Sequence, residues 1–256
     1  MSNDNGLSMA IENHVATITL RRPPHNFIDQ PLLGVLADYL SVLDTESDCR
    51  AVILRAEGRS FCAGADFSDA VAGGAAPDFA GIYREAMRLF RTAKPIIAAI
   101  QGPAIGAGVG LALAADFRIA ATSARFAVNF NRLGIHPGFG LSFTLPHLVG
   151  ERQAARLFYT GQRIDAAEAL RIKLVDEVVP DDTLYGHALA LAAEIAASAP
   201  HAVQSTRATL RGDFADRVRA VNDRELQVQT EQYKMVDFRE GIAAASAQRP
   251  PVFTGN

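Results

Sequence analysis

Two short segments rich in glycine and alanine carry the clearest chemical signal in this 256-residue chain. Segment 61–66 reads FCAGAD, and segment 102–110 reads GPAIGAGVG. Small residues let a ligand carbonyl approach the main chain, and the first N–H groups of a helix have no intrahelical acceptor. Two such turns placed side by side would direct two amide donors at one oxygen and stabilise an oxyanion. Composition alone also allows a second explanation, close packing of helices against a sheet.

Motifs of metal, phosphate and nucleophilic chemistry are missing from the sequence. Cys49 and Cys62 are far apart, and no two of the six histidines are three or four residues apart, so no metal site is expected. Gly106 and Gly108 begin a G-x-G pattern, but Leu111 stands where its last glycine belongs, which excludes a dinucleotide loop. No G-K-[ST] or G-x-S-x-G segment occurs, which excludes P-loop and nucleophile-elbow enzymes.

Composition and charge indicate a globular protein without a strongly charged partner. Apolar residues make up 49% of the sequence, and 25 basic against 28 acidic side chains give a net charge of −3. This balance offers no footprint for nucleic acid or an anionic membrane. Segment 95–115 is uncharged, but 101–103 and three glycines interrupt it, so we predict a strand, a turn and a helix rather than a membrane span. The polar start at 1–6 and the two cysteines favour a cytoplasmic protein without a signal peptide.

Hydrophobic periodicity predicts alternating strands and helices over the first two-thirds of the chain and helices over the last third. The fold class is therefore α/β with a helical C-terminal region. No fixed-period repeat occurs, although a strand and a Gly/Ala turn follow one another twice, at 51–66 and at 96–115. Strands are predicted at 7–11, 15–20, 51–54, 96–100, 117–120, 125–128 and 174–179. Helices are predicted from Asp29, at 78–90, 106–115, 141–148, 151–159 and 165–171, and from 183 almost to the end, with a loose stretch at 71–77.

Four segments resemble the crotonase (enoyl-CoA hydratase/isomerase) superfamily, and they occur in its order over nearly the whole chain. Segment 61–67, FCAGADF, resembles the F-x-A-G-A-D-[LIF] turn of that superfamily. Segment 97–108, IAAIQGPAIGAG, is similar to its IAAVNGxAxGGG motif. Segment 160–170, TGQRIDAAEAL, resembles TGxxIxAxEA, and the C-terminal signature is matched by FREGI at 238–242 and PVFTG at 251–255.

The resemblance implies a fold, a substrate class and an assembly. The fold would be a crotonase-type spiral of ββα units, with a core over 1–195 and a helical trimerisation region over 196–256. The substrate would be an acyl-CoA or enoyl-CoA thioester, with coenzyme A as part of the substrate and no separate cofactor. The assembly would be a homotrimer or a dimer of trimers.

The same resemblance assigns roles to the two turns. The backbone N–H groups of Ala65 and Ala107 would face the thioester oxygen, with Gly64 and Gly106 beside them in the substrate site. An alanine at 107 replaces the commoner glycine but keeps the amide donor.

Four further positions would bind the coenzyme A portion. Ala63 and Asp66 would border the path of the adenine and pantetheine groups. Arg59 matches a position that is often basic and suits a phosphate of coenzyme A. Phe253 would lie against the nucleotide end, from the same or a neighbouring subunit.

One departure from the superfamily concerns proton transfer. Its hydratases use two glutamates, and this chain has Gly110 and Phe130 at the matching positions. Neither side chain can donate or accept a proton, so two-glutamate hydration is not expected. Because the amide donors are kept, we expect glutamate at both positions to introduce hydration of crotonyl-CoA.

Other residues of the same region are candidates for the acyl end of the site. His136 is the candidate proton carrier because an imidazole can exchange a proton near neutral pH, although a hydrogen bond to the backbone would equally explain this histidine. Of Tyr83, Arg84 and Glu85, only one or two can face inward, and Glu85 is expected on the surface. Asp69 is expected in solvent.

Three functions therefore stay open. The first is a crotonase-type enzyme that stabilises a thioester enolate by chemistry without the two glutamates. The second is a non-catalytic acyl-CoA-binding protein. The third is an enoyl-CoA hydratase that works through substituted residues.

Overall fold

The computed structural model describes residues 2–3, 6–67 and 78–256. The predicted loose stretch 71–77 and Asp69 lie outside these residues. The described strands are β1 (Ser2–Asn3), β2 (Leu7–Glu12), β3 (Val15–Leu20), β4 (Ala51–Ala56), β5 (Ile96–Ile100), β6 (Ala104–Ile105), β7 (Phe117–Ala121), β8 (Arg125–Ala127), β9 (Ile164–Asp165) and β10 (Glu177–Val179). The described helices are α1 (Gln30–Thr45), α2 (Phe79–Leu89), α3 (Ala107–Leu113), α4 (Leu141–Val149), α5 (Glu151–Thr160), α6 (Ala166–Arg171), α7 (Leu184–Ala196), α8 (Pro200–Arg211), α9 (Phe214–Gln232) and α10 (Val236–Ser246), with 3₁₀ turns at Phe130–Leu133 and Asp181–Thr183.

The main sheet has seven strands in the order β1-β2-β3-β4-β5-β7-β10. The predicted strands at 7–11 and 15–20 correspond to the antiparallel pair β2–β3, and every pair from β3 to β10 is parallel. Strand β5 is buried at all five positions, as expected for a parallel strand covered on both faces. The mixed α/β class predicted from the sequence is confirmed.

A second, smaller layer of strands runs beside the main sheet. Strands β6, β8 and β9 form a three-stranded sheet. Single parallel bridges extend this layer, pairing Ile28 with Ala65 and Cys62 with Ala104. Each of β3, β4, β5 and β7 is therefore followed by a short extended segment in the second layer and then by a helix or 3₁₀ turn. This succession is the ββα unit, repeated at unequal intervals, which explains why the sequence shows no fixed period.

Side-chain caps fix the starts of the two helices that flank the site. The Asp29 carboxylate accepts from the Leu32 N–H at 2.8 Å at the start of α1. Asp78 accepts from the Gly81 N–H at 2.9 Å at the start of α2. A carboxylate at this position satisfies an amide that the helix leaves without an acceptor, which is why both starts are readable from the sequence.

The helical C-terminal region packs back on the core of the same chain. Helix α9 lies against α2 and α4, and α10 lies against the 3₁₀ turn Phe130–Leu133. Arg207 and Arg211 of α8 both bind the Asp116 carboxylate, with N–O distances of 3.0 and 2.9 Å. These contacts place α9 and α10 over the end of the core where the two Gly/Ala segments lie.

One predicted strand is shorter than expected. Segment 174–179 was expected to be extended throughout, but only Glu177–Val179 pairs with β7. The N–H groups of Leu174 and Val175 instead bond to the carbonyl of Ala169 at the end of α6, so this part is a helix-terminating turn. Both side chains are buried, and their apolar character therefore reflects core packing rather than strand pairing.

Candidate active site

The two Gly/Ala segments lie side by side. Cys62 and Ala104 form a parallel bridge, in which the Ile105 N–H donates to the Cys62 carbonyl at 2.9 Å and the Cys62 N–H donates to the Pro103 carbonyl at 3.2 Å. The first segment is also tied to Ile28, whose N–H donates to the Gly64 carbonyl at 2.9 Å. Backbone hydrogen bonds therefore fix the relative position of the two turns.

Glycine is required where the turns touch. Gly64 has φ +94°, and a Cβ there would lie 3.1 Å from the Ile105 carbonyl oxygen and 3.9 Å from the Ala107 nitrogen. A Cβ on Gly108 would lie 2.9 Å from the carbonyl carbon of Cys62, and its carbonyl oxygen would be closer still. Any side chain at 108 would push the turns apart, so the spacing of the glycines specifies the close approach.

This arrangement leaves the N–H groups of Ala65 and Ala107 without a hydrogen-bond acceptor among the described residues. Ala107 is the first residue of α3, and its N–H has no acceptor within the helix. Ala65 pairs with Ile28 in the short bridge, and no described helix starts there. Of the two amides, only that of Ala107 is therefore a free N–H at the start of a helix, although the sequence predicted this for both turns. Within the described residues, neither N–H donates a hydrogen bond.

A cleft of about 370 Å³ opens beside the two turns. Seven residues predicted for the site line it: Ala63, Gly64, Ala65, Asp66, Gly106, Ala107 and Phe130. Four predicted residues lie outside the described lining: Arg59, Gly110, His136 and Phe253. Unpredicted aromatic and aliphatic side chains complete it, among them Phe27, Phe67, Phe79, Ile82, Ile135 and Ile242.

Gly110 faces a phenyl ring rather than the cleft. A Cβ on Gly110 would lie 2.6 Å from Cδ1 of Phe139, whose side chain is fully buried. Phe139 itself adopts φ +67°, a left-handed conformation that is unfavourable for a bulky residue. The Phe139 ring thus occupies the space that a side chain at 110 would need, and the hydration expected from glutamate at 110 and 130 would require this ring to move.

Hydrogen bonds hold both the ring and the backbone of His136. Its ring Nδ1 lies 2.7 Å from the Pro137 carbonyl oxygen, so the tautomer that forms this hydrogen bond carries its proton on Nδ1. Its backbone N–H donates to Gln232 Oε1 at 2.6 Å, and its carbonyl accepts from Gln229 Nε2 at 2.6 Å. This geometry matches the backbone-bonded alternative considered for His136 from the sequence.

The remaining predicted positions lie at the edge of the site. Arg59 is exposed just before the first turn, and its N–H donates to the Pro24 carbonyl at 3.1 Å. Phe253 is 38% exposed in the C-terminal segment. In α2, Tyr83 faces inward and lines the cleft, as allowed. Glu85, expected on the surface, is only 15% exposed because it packs against α1 and pairs with Arg88 at 2.8 Å.

A buried polar network behind the cleft was missed by sequence reasoning. The hydroxyls of Tyr83 and Tyr233 both donate to Gln229 Oε1, at 3.0 and 2.6 Å. Burial raises the pKa of both phenols, which keeps them protonated. A polar residue every three or four positions along α9 was the available signal, but it resembles an ordinary solvated helix face.

Glu225 is a second buried polar residue of α9, one helical turn before Gln229. Its carboxylate accepts from the Gly140 N–H at 2.6 Å, and from the Ser142 N–H and hydroxyl at 2.7 and 2.6 Å. These bonds cap the first turn of α4 and hold the bend that contains Phe139. Burial raises the pKa of the carboxyl to about 7, although the three hydrogen bonds oppose the shift.

Both cysteines are buried and unbonded to one another. Desolvation raises the pKa of the Cys62 thiol to about 12 and also raises that of Cys49. Cys62 contributes its backbone to the contact between the turns, and its side chain is packed in the core.

The described residues contain neither a metal-binding cluster nor a membrane-spanning helix. No group of three or more His, Cys, Asp or Glu side chains is placed to hold a metal ion. Over the same residues, every helix is too short or too polar to cross a bilayer.

Comparison with known proteins agrees with the motifs and the fold. The sequence profile of the family described as Enoyl-CoA hydratase/isomerase matches residues 10–256. The chain belongs to this family. It is 33% identical over 254 residues to 1,2-epoxyphenylacetyl-CoA isomerase from Escherichia coli, covering 96% of this chain and 97% of the relative. It is also 33% identical over 256 residues to a probable enoyl-CoA hydratase from Bacillus subtilis, covering 98% and 99% of the two chains.

Solved structures of this family share the whole fold. The crystal structure of an enoyl-CoA hydratase/isomerase from Pseudoalteromonas atlantica superposes with a TM-score of 0.88 at 34% identity, covering 97% of this chain and 100% of that one. The crotonase-type fold inferred from the four motifs is thereby confirmed.

Proposed function

We propose that this member of the enoyl-CoA hydratase/isomerase family binds an acyl-CoA or enoyl-CoA thioester and stabilises its enolate with the N–H groups of Ala65 and Ala107. The observation that carries the proposal is the hydrogen-bonded contact between the two turns, which leaves both amides without an acceptor in the described chain at one end of an apolar cleft. Amides fixed by the fold need no reorganisation as negative charge develops on the oxygen.

The coenzyme A portion would leave the cleft past the first turn. Ala63 and Asp66 line the cleft on that side, and Arg59 is exposed just before the turn. A guanidinium suits a phosphate as a bidentate partner. Phe253, on the exposed C-terminal segment, would contact the nucleotide.

The reaction would not be two-glutamate hydration. Gly110 and Phe130 replace the two acid/base groups, and Phe139 fills the space beside Gly110. Isomerisation, ring hydrolysis or retro-aldol cleavage of a thioester would use the same enolate. Asp66 and Tyr83 are the titratable side chains of the described lining, and the ring of His136 would have to turn away from Pro137 to join them.

The scarcity of acid/base groups in the described lining also favours a second candidate, a non-catalytic acyl-CoA-binding protein. The two functions differ in whether the α-carbon of the bound thioester exchanges protons. Purified protein would be incubated in D₂O with a panel of acyl-CoA and enoyl-CoA thioesters, and the products analysed by mass spectrometry. We expect a product or α-deuterium with at least one thioester.

The results of this experiment distinguish the two functions. Binding without product or deuterium across the panel would favour the binding protein, and no binding at all would overturn both functions. Where exchange occurs, Asp66→Asn and His136→Ala identify the proton carrier by which of them abolishes it.

The assembly and the location are part of the proposal. We propose a homotrimer or a dimer of trimers in the cytoplasm. Exposed apolar side chains on the helices could form the interface, such as Leu189 on α7 and Leu210 on α8. Sedimentation of the purified protein measures the assembly directly.

A further inference from the structure

Aromatic rings surround the acyl end of the cleft. Phe67, Phe79 and Tyr83 form a continuous wall, with centroids 5.7 Å apart between the first two and 6.0 Å apart between the last two. Phe27 and Phe130 also line the cleft, so five aromatic side chains contact its volume. Polar groups are few along the described lining, which makes the bound acyl group the natural partner of these rings.

Phe130 sits directly beside the amide donors. A Cβ on Gly106, the residue that precedes Ala107, would lie 3.8 Å from Cζ of Phe130. A thioester whose oxygen binds the Ala107 N–H therefore places its first acyl carbons against the edge of the Phe130 ring. The rest of the acyl group then enters the space bounded by Phe79 and Tyr83.

We infer that the substrate is a thioester whose acyl group carries an aromatic ring one or two carbons from the carbonyl. This inference rests on the proposed function and narrows it to one substrate class. An aryl group placed among these tilted rings makes edge-to-face or offset contacts with them. Each such contact tightens binding roughly two- to twelvefold beyond simple burial.

The packing of the rings supports rigid recognition. Phe79 stacks on Tyr233 with centroids 4.8 Å apart, and Tyr83 meets Phe139 edge-on at 6.5 Å. The Tyr83 hydroxyl is held by Gln229 at 3.0 Å. The aromatic wall is therefore held from behind before a ligand arrives, and little side-chain freedom is lost on binding.

The test compares two ligands that differ only in their ring. Phenylacetyl-CoA and cyclohexylacetyl-CoA have the same linker and ring size, but the saturated ring is more apolar and cannot make ring–ring contacts. A second pair, 3-phenylpropanoyl-CoA and 3-cyclohexylpropanoyl-CoA, covers the longer spacing. Dissociation constants would be measured by titration calorimetry on the whole protein. We expect the aryl member of at least one pair to bind at least fivefold more tightly.

Variants locate the preference. Phe130→Leu and Phe79→Leu are expected to reduce the aryl-to-cyclohexyl ratio at least threefold. Phe90→Leu is the matched control, because Phe90 is equally buried and belongs to the same aromatic cluster but lies outside the lining. It is expected to keep the ratio. Since each ratio is taken within one protein, a general loss of affinity in a variant cancels.

The outcomes separate this inference from the proposed function. Equal affinities, or tighter binding of the cyclohexyl ligands, would overturn the aromatic substrate class and leave thioester binding intact. A preference that survives both lining variants would overturn the assignment to these rings. Failure of the wild-type protein to bind any of the four thioesters would overturn the proposed function and this inference with it.

Discussion

The two ends of the cleft use different parts of the chain. At the donor end, Ala65 and Ala107 contribute main-chain N–H groups, and their side chains matter only by being small. At the acyl end, the rings of Phe130 and Phe139 and the absence of a side chain at Gly110 determine which space is filled. A backbone site survives substitution as long as its turns keep their spacing, whereas a side-chain site changes with each residue. Under the proposed function, the molecule keeps both amide donors, although Gly110 and Phe130 stand where the family motifs place two carboxylates.

The largest expected effect comes from introducing two acid/base side chains at the acyl end. We predict that G110E/F130E shows no crotonyl-CoA hydration, because the ring of Phe139 blocks a side chain at 110. Adding Phe139→Gly removes the ring at a position whose φ of +67° suits glycine. The triple variant is expected to gain about 10²–10⁴-fold in hydration rate, the usual contribution of general acid–base groups.

Loss of the enoyl absorbance of crotonyl-CoA measures this gain, with circular dichroism to verify folding. Phe139→Gly alone serves as the control and should not hydrate. Equal activity of the double and triple variants would show that Phe139 is not the obstacle.

At the donor end, a single substitution can remove one of the two amide N–H groups. Ala107→Pro removes one N–H at the first position of α3, where proline is well tolerated. We predict a loss of about 10²–10³-fold in turnover of any thioester that the protein consumes, with the unfolding midpoint nearly unchanged.

Val236→Pro is the matched control for this loss, since it introduces proline at the exposed first position of α10. It should leave both turnover and the unfolding midpoint unchanged. Normal turnover in the Ala107 variant would remove that amide from the mechanism.

The contact between the turns can be strained by a single methyl group. Gly108→Ala forces a Cβ against the Cys62 carbonyl, and we predict a loss of about 3 kcal/mol in the free energy of unfolding, together with weaker thioester binding. Gly186→Ala provides the comparison, because a Cβ there meets nothing within 4 Å and the position is helical. It should be neutral or stabilising by up to about 1 kcal/mol. Chemical denaturation gives both values, and equal effects would contradict the steric account.

Glu225, behind the acyl end, makes the stability of the protein depend on pH. The pKa of the Glu225 carboxyl is about 7 in the folded protein and near its ordinary value, about 4.5, when unfolded. The folded protein thus holds the proton more tightly, and its stability falls as pH rises from about 4.5 through 7, by about 3 kcal/mol at most. Glu225→Gln should flatten this decline. An unchanged difference between the two proteins from pH 5 to pH 8 would contradict it.

The features that could be predicted from the sequence depend on residues close together in the chain. Asp29 and Asp78 mark helix starts because a cap acts within three residues. The turns around Gly64 and Gly108 are readable because only small residues permit their contact. The replacement at Gly110 is visible because a motif fixes the position of the missing carboxylate.

The features that could not be predicted depend on contacts between residues far apart in the chain. The ring of Phe139 reaches Gly110 through a bend that Glu225 holds from 85 residues away along the chain. The hydrogen bond from Tyr83 to Gln229 spans 146 residues. Residues this far apart in sequence carry no local signal of their contact, so the closed acyl end and its polar support emerge only from the fold.

The burial of both cysteines has a practical consequence for measuring catalysis. A thiol reacts as its thiolate, and desolvation keeps Cys49 and Cys62 protonated at the pH of most assays. A disulfide reagent added to the folded enzyme would therefore report only the free coenzyme A released by cleavage of the thioester. Hydrolysis of the thioester itself, which is not a step of the proposed reactions, can therefore be monitored during an assay without a background from the protein.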